Sequence, residues 1–167
     1  KDKGFDIKAL LRKETYLLPA VSVGLRDIAG TGLFSSEYLV SSKKFRDFDL
    51  SIGIGWGVLG TDNNFSNPLN SLDDSFKSRN DSLGQGGSFS FKNWFSGDTA
   101  IFGGLEYDLP KRGLRLKLEY DTSNPDERAI VNDVKSRFNF GLNYSFSNNL
   151  TFSSTFERGS QFRLSFN

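Results

Sequence analysis

Histidine and cysteine are both absent from this 167-residue chain, and the two absences remove much of the reactive chemistry open to proteins. Without His there is no Ser-His-Asp or Asp-His arrangement of the kind a membrane-barrel protease, lipase or acyltransferase would use. Zinc loses its common ligands, and neither disulfides nor thiolates can operate. Long apolar runs are missing too. No stretch approaches the roughly 20 residues of a helical span, which excludes a helix-type membrane protein. The 21 basic residues nearly balance the 20 acidic ones, for a net charge of +1, and no basic block is present to track a phosphate backbone. Nucleic acid is therefore not an expected partner, and no cofactor is expected either.

Hydrophobic residues make up 37% of the chain, low for a globular domain, yet aromatics reach 14% with 17 Phe. The apolar content is thus bulky and β-prone. A membrane barrel has this profile, because only alternate residues of each strand meet lipid. The chain begins at Lys1 with no signal peptide, as expected of a mature chain or a fragment.

The plainest pattern lies between Phe48 and Val58. Phe48, Leu50, Ile52, Ile54, Trp56 and Val58 alternate strictly with Asp49, Ser51, Gly53, Gly55 and Gly57. This is the period of a β-strand with one greasy and one small or polar face. At about 3.3 Å per residue it extends about 36 Å, enough for a tilted strand to cross a hydrocarbon layer.

Eight further strands follow the same rule, at Phe5–Leu11, Val21–Arg26, Phe34–Ser41, Ile101–Asp108, Leu114–Asp121, Phe138–Phe146, Leu150–Phe156 and Phe162–Phe166. In the third, Phe34, Tyr38 and Val40 are assigned to the apolar face and Ser35, Glu37 and Ser41 to the polar one. Turns are expected near Pro19, at Gly30-Thr31-Gly32, over Lys43–Asp47, at Pro110–Gly113 and at Ser147–Asn149. Long loops cover residues 60–97 and 122–136. The first is marked by Asp62, Asn63, Asn64, Asn67-Pro68, Asn80-Asp81 and Gly84 to Gly87, and its end, Ser88–Phe95, is a candidate tenth strand. Connections after odd strands are short and both long loops follow even strands, the asymmetry of outer-membrane barrels. The expectation is one all-β domain over residues 1–167, an antiparallel transmembrane barrel of about 8–10 strands.

The polar parity mixes charges with very small residues. Arg26, Glu37, Glu106, Arg115, Lys117 and Glu119 are expected to form a lumenal, buried mixed-charge network, with Gly and Ser making room. Leu50, Ile52, Ile54, Trp56, Leu116, Leu118, Phe140 and Leu142 are expected to face lipid. Tyr16, Trp56, Tyr107, Tyr120, Tyr144 and Phe146 fall towards strand ends, where an interfacial girdle would lie.

Gly55-Trp56-Gly57-Val58-Leu59-Gly60 satisfies the dinucleotide fingerprint, but Thr61-Asp62-Asn63-Asn64 follows in place of a helix. The glycines read better as gaps or curvature points. The carboxylates Glu106, Asp108, Glu119 and Asp121 read as an ion-pair ladder with Arg115, Lys117 and Arg26 before they read as acid–base machinery. Asp62, Asp73 and Asp74 lack the spacing of a calcium loop.

The segment GLRDIAGTGLFSSEYLVSSKKFRDFDLSIGIGWG resembles the opening barrel segment of the YjbH-like exopolysaccharide outer-membrane proteins. FGGLEYDLP (Phe102 to Pro110), LKLEYD, FNFGLNYSF and Phe156-Glu157-Arg158-Gly159 continue the match in order. The resemblance implies a non-enzymatic barrel in the outer membrane of a Gram-negative bacterium, associated with extracellular polysaccharide production or export. Its partners would be outer-membrane lipid, other envelope subunits and polysaccharide. Members of that family are usually several times longer than this chain. Two other functions stay open on the residues alone: a narrow porin-like channel for small solutes, and a soluble lipocalin-like lipid-binding barrel.

Overall fold

The computed structural model describes residues 4–28, 34–79, 93–109, 113–124, 134–147 and 150–167. Nine strands appear among them: β1 (Phe5–Arg12), β2 (Ala20–Ile28), β3 (Ser36–Phe45), β4 (Phe48–Gly57), β5 (Thr99–Leu109), β6 (Leu114–Tyr120), β7 (Phe138–Ser147), β8 (Leu150–Glu157) and β9 (Gln161–Phe166). They form one antiparallel sheet in sequence order, a meander in which every strand pairs with its chain neighbours. Among the described residues β1 pairs only with β2 and β9 only with β8, so the sheet has two free edges rather than the closure expected.

The alternation in the sequence explains why these segments are strands, and the register decides which face each residue joins. Residues directly opposite in neighbouring strands share a face. Leu39, Ile54 and Ile101 lie in one row across β3, β4 and β5. Leu105, Leu118, Phe140, Phe156 and Phe162 lie in another across β5 to β9. One apolar face therefore runs across the sheet. The opposite face carries Gly24, Tyr38, Gly55 and Ala100 in one row, and Asp49, Glu106, Lys117, Gly141 and Thr155 in another.

The third strand departs from the expected assignment. Leu39 joins the apolar face, while Tyr38 and Val40 lie on the polar one opposite Gly55 and Gly53. Both parities of β3 carry bulky groups, so alternation alone does not phase it. On the polar face the rings fill space that glycine leaves open. A Cβ at Gly24 would fall 2.1 Å from the Tyr38 ring, one at Gly53 would fall 2.4 Å from the Phe102 ring, and the two rings meet edge to face at 6.2 Å. Gly53→Val is expected to destabilise the sheet by about 1–3 kcal/mol through overpacking. Phe102→Ala in the same chain should recover part of that loss in a thermal melt, whereas additive losses would show that the two residues do not interlock.

The turn expected over Lys43–Asp47 is tighter than its composition suggests. β3 runs on to Phe45, which pairs with Phe48 across a two-residue turn with Arg46 at φ 51°. The turn at Gly30-Thr31-Gly32, the positions Asn80-Asp81 and Gly84 to Gly87, and most of the Pro110–Gly113 and Ser147–Asn149 turns lie outside the described residues. Most of Ser88–Phe95 does as well, and its described part, Asn93–Phe95, is not strand. The loop asymmetry holds, since the longest connections, 58–98 and 121–137, follow β4 and β6 and leave from the same end of the sheet.

Burial inverts the soluble pattern. Trp56, Leu59 and Ala100 are the buried hydrophobic residues among those described, while Ile52, Leu118, Phe140 and Leu164 are exposed. The accessible surface is 11274 Å², against about 8,300 Å² for a compact chain of this mass by the usual scaling.

Candidate functional site

Two features have the composition of working surfaces: the charged polar face, and a collar where residues 58–79 and 93–98 fold back over the end of β3, β4 and β5.

On the polar face, strand pairing sets Glu106 opposite Lys117 and Asp108 opposite Arg115. Lys117 Nζ meets Glu106 at 2.8 Å, Arg115 Nε donates to Asp108 at 2.5 Å, and Arg115 also reaches Glu106 at 3.6 Å. Glu119 sits one row on and accepts from Asn139 Nδ2 at 3.1 Å rather than meeting Lys117. A groove of about 640 Å³ lies over this region, lined by Asp49, Glu106, Lys117, Glu119, Asn139 and Glu157 among others. The expected six-residue network is thus not one network. Arg115, Lys117 and Glu106 come together with Asp108, whereas Arg26 is exposed in a row with Ser36. The cluster is also half exposed rather than buried, at 39% for both Glu106 and Lys117 side chains. Pairs this open contribute about 0–1 kcal/mol. A double-mutant cycle with Glu106→Gln and Lys117→Met should give a coupling in that range, and a coupling above about 2 kcal/mol would show a desolvated pair instead.

Glu37 lies on the other face. It opposes Trp56 and Leu25, so it occupies an apolar row, and it is 2% exposed. A carboxylate there needs partners, and the loop supplies them. Arg79 binds it through Nη1 at 2.7 Å and Nη2 at 3.1 Å, and the Phe95 amide donates to it at 3.1 Å. Arg79 also donates to Ser35 Oγ and to the Asn93 carbonyl. Asn67 Nδ2 lies within hydrogen-bond distance of the carbonyls of Phe76, Phe95 and Gly97, at 3.1 to 3.2 Å, and its Oδ1 accepts from the Leu69 amide.

This collar corrects the placement of Trp56. Its ring is 4% exposed and packs edge to face on Phe95 at 5.2 Å, so it does not lie on the open apolar surface with Leu50, Ile52, Leu116, Leu118 and Phe140. Ile54 and Leu142 share their face and are half-buried. The parity of Trp56 is that of the lipid-facing set, but the loop returns over it.

The glycine fingerprint belongs to the same turn. After Gly57 the chain makes a 3₁₀ turn at Val58–Gly60, not an α-helix, so no helix N-terminus is there to receive a pyrophosphate. Gly57 holds φ 65° with the Ser35 carbonyl 2.3 Å from where a Cβ would stand, a position only glycine fills without strain. On the polar side Leu59 closes over Gly55, and its carbonyl accepts from the fully buried Thr122 hydroxyl at 2.7 Å. The loop carboxylates are already engaged: Asp62 with Arg137, Asp73 with the Ser75 amide and Asp74 with Lys77. No cluster of metal-ligating side chains occurs among the described residues.

Sequence reasoning missed Arg79 altogether, because its partner is 42 residues away and nothing in the local pattern of the loop singles it out. The one available hint was Glu37 itself, a carboxylate next to Tyr38-Leu39-Val40.

Residues 1–167 match the family described as YjbH, exopolysaccharide biosynthesis protein YbjH. The chain is 46% identical over 163 residues to a protein of Escherichia coli (strain K12) described as uncharacterized lipoprotein YjbH. The match takes in 97% of this chain and 23% of that protein, so the chain spans less than a quarter of its relative's length. No solved structure matches. With the family match running from the first residue to the last, the chain belongs to the YjbH exopolysaccharide biosynthesis family.

Proposed function

We propose that this chain forms part of the wall of an outer-membrane β-barrel, a non-enzymatic component of exopolysaccharide production or export. The carrying observation is the arrangement of the apolar face. Phe48 stacks on Tyr107 at 4.4 Å, Tyr144 meets Phe146 at 4.5 Å and Phe152 meets Phe166 at 5.1 Å, all at the short-turn end. Tyr120 meets Phe138 at 5.2 Å at the long-loop end. Between these rows the face is aliphatic on β4 to β6, with Leu50, Leu105, Leu116 and Leu118, and carries Phe140, Phe156 and Phe162 on β7 to β9. β3, β4 and β7 are each 10 residues long and β5 is 11, the roughly 9–11 residues of a tilted transmembrane strand, and the aromatic rows flank the apolar face as girdles do in an outer-membrane barrel. The lipoprotein description of the E. coli relative supports an envelope location.

The free edges of β1 and β9 favour a wall completed by other polypeptide. Unpaired backbone in lipid costs several kcal/mol per group, and the nine strands among the described residues are an odd number where single-chain bacterial barrels have even counts. The polar face then lines the interior. Its mixed-charge cluster of Glu106, Asp108, Arg115 and Lys117 favours, as a second reading, a channel for small solutes. Single-channel conductance by the purified protein would support that second reading.

Cysteine pairs placed along residues 5–11 and 160–166 test the partner proposal, since the chain has no cysteine of its own. The expected result is little intramolecular crosslinking, with other chains co-purifying in detergent. Efficient intramolecular crosslinks in a monodisperse monomer would establish a self-closed barrel and overturn the partner proposal. Solubility without detergent would instead favour the lipocalin-like alternative.

A further inference from the structure

The connection between β1 and β2 is built unlike an ordinary surface turn. Tyr16, Leu17 and Leu18 are 94%, 82% and 49% exposed, yet the backbone that carries them is tied down. The Thr15 amide donates to the Leu18 carbonyl at 2.9 Å, and the Leu18 amide donates to Thr15 Oγ1 at 3.1 Å. Arg12 Nε donates to the Pro19 carbonyl at 3.1 Å. Glu14 clamps the turn to the end of β3, accepting from Lys43 Nζ at 3.1 Å and from the Lys44 amide at 3.2 Å, while Lys43 also donates to the Thr15 carbonyl. The Lys43 hydrogen bond holds the Glu14 carboxyl below the usual carboxylate range.

Three consecutive apolar side chains held outward on a fixed backbone have little ordering entropy left to lose on burial. The clamp also sets their level. Lys43 lies 5.7 Å over the Phe45 ring, and Phe45 pairs with Phe48 of the short-turn aromatic row. The exposed charges at this end are basic in excess: Arg12, Lys13, Lys44 and Arg46, the third within 3.9 Å of Asp108, against Glu14 and Asp47.

We propose that the Tyr16–Leu18 turn is a preformed anchor that enters the headgroup and upper acyl region of an anionic phospholipid leaflet at the short-turn end of the sheet. The tyrosine hydroxyl suits the wet side of that boundary, the two leucines the acyl side, and the basic residues the phosphates. The anchor fixes how deep this end of the wall sits. It rests on the reading that the apolar face meets lipid.

Single cysteines at Leu17→Cys and Leu118→Cys, each labelled with bimane, separate the anchor from that reading. The purified protein is returned to vesicles of phosphatidylcholine and phosphatidylglycerol that carry nitroxide lipids, and quenching by nitroxide is compared with quenching by aqueous iodide. Both labels are expected to be quenched by lipid nitroxide, with position 17 favouring a headgroup nitroxide and position 118 a deep acyl one, and iodide quenching at 17 reduced several-fold from its value in detergent-free urea. If position 118 reports lipid while position 17 is quenched freely by iodide, or is shielded from both quenchers as in a protein contact, the anchor is overturned and the lipid-facing wall stands. If position 118 is itself open to iodide, the lipid reading fails and the anchor falls with it.

Discussion

Glu37→Ala is expected to release the collar. The substitution leaves the Arg79 guanidinium, now 13% exposed, with no counter-charge beside Trp56 and Phe95. Removing one member of a buried pair typically costs about 3–5 kcal/mol, because the remaining charge is stranded. Here the chain has an escape: the loop detaches and Arg79 returns to water, so the loss is limited to the docking energy of the loop. The observable is therefore local. Limited proteolysis within residues 60–98 should accelerate about tenfold or more, while the strand pairing of β6 to β9, far from the latch, is retained. Replacing both partners, Glu37→Leu with Arg79→Met, removes the stranded charge and should bring cleavage most of the way back. Equal cleavage in Glu37→Ala and the parent protein would show that the pair does not hold the loop.

Leu118→Arg is expected to have the largest effect on the sheet itself. Leu118 stands in the row of Leu105 and Phe140, on the aliphatic part of the apolar face between the two aromatic rows. An Arg near the midplane of a barrel's lipid face costs about 2–4 kcal/mol, falling towards zero at the interfaces. The same change at Tyr144, in the short-turn aromatic row, should therefore cost much less. Thermal stability in detergent and the fraction inserted in membranes are the measurements. A variant at 118 that inserts and melts like the parent, or one no worse than Tyr144→Arg, would contradict the assignment of this face to lipid.

Much of the fold was legible because the strands alternate and their ends carry turn residues. β4, β6 and β7 keep apolar and polar residues on separate parities, so a period-two reading finds both their extent and their faces. β3 does not. Tyr38, Leu39 and Val40 are consecutive and apolar, and only the pairing of Leu39 with Val23 and Ile54 shows which parity is outward. Trp56 failed for a different reason. Its place in the alternation is right, but burial is decided by a loop whose return depends on a contact with Glu37 from far along the chain. The charged cluster was legible as a set, because Glu106, Asp108, Arg115 and Lys117 share the polar parity of neighbouring strands, but which of them pair is given only by the register, Glu106 with Lys117 and Asp108 with Arg115. Glu37 was misjoined to it because β3 places Glu37 on the apolar side, whereas Arg26 keeps the polar parity but stands opposite Ser36 at the long-loop end, away from Glu106 and Asp108 at the short-turn end.

Collision accessibility measured residue by residue along β4 tests the central claim most directly. Spin labels on single cysteines at positions 48 to 55 are compared for encounter with oxygen, which concentrates in the acyl layer, and with a water-soluble nickel complex. The account predicts a period of two, with positions 50, 52 and 54 oxygen-accessible and nickel-protected, and positions 49, 51 and 53 the reverse. Oxygen access on the odd positions, or no alternation at all, would contradict a wall with its apolar face in lipid.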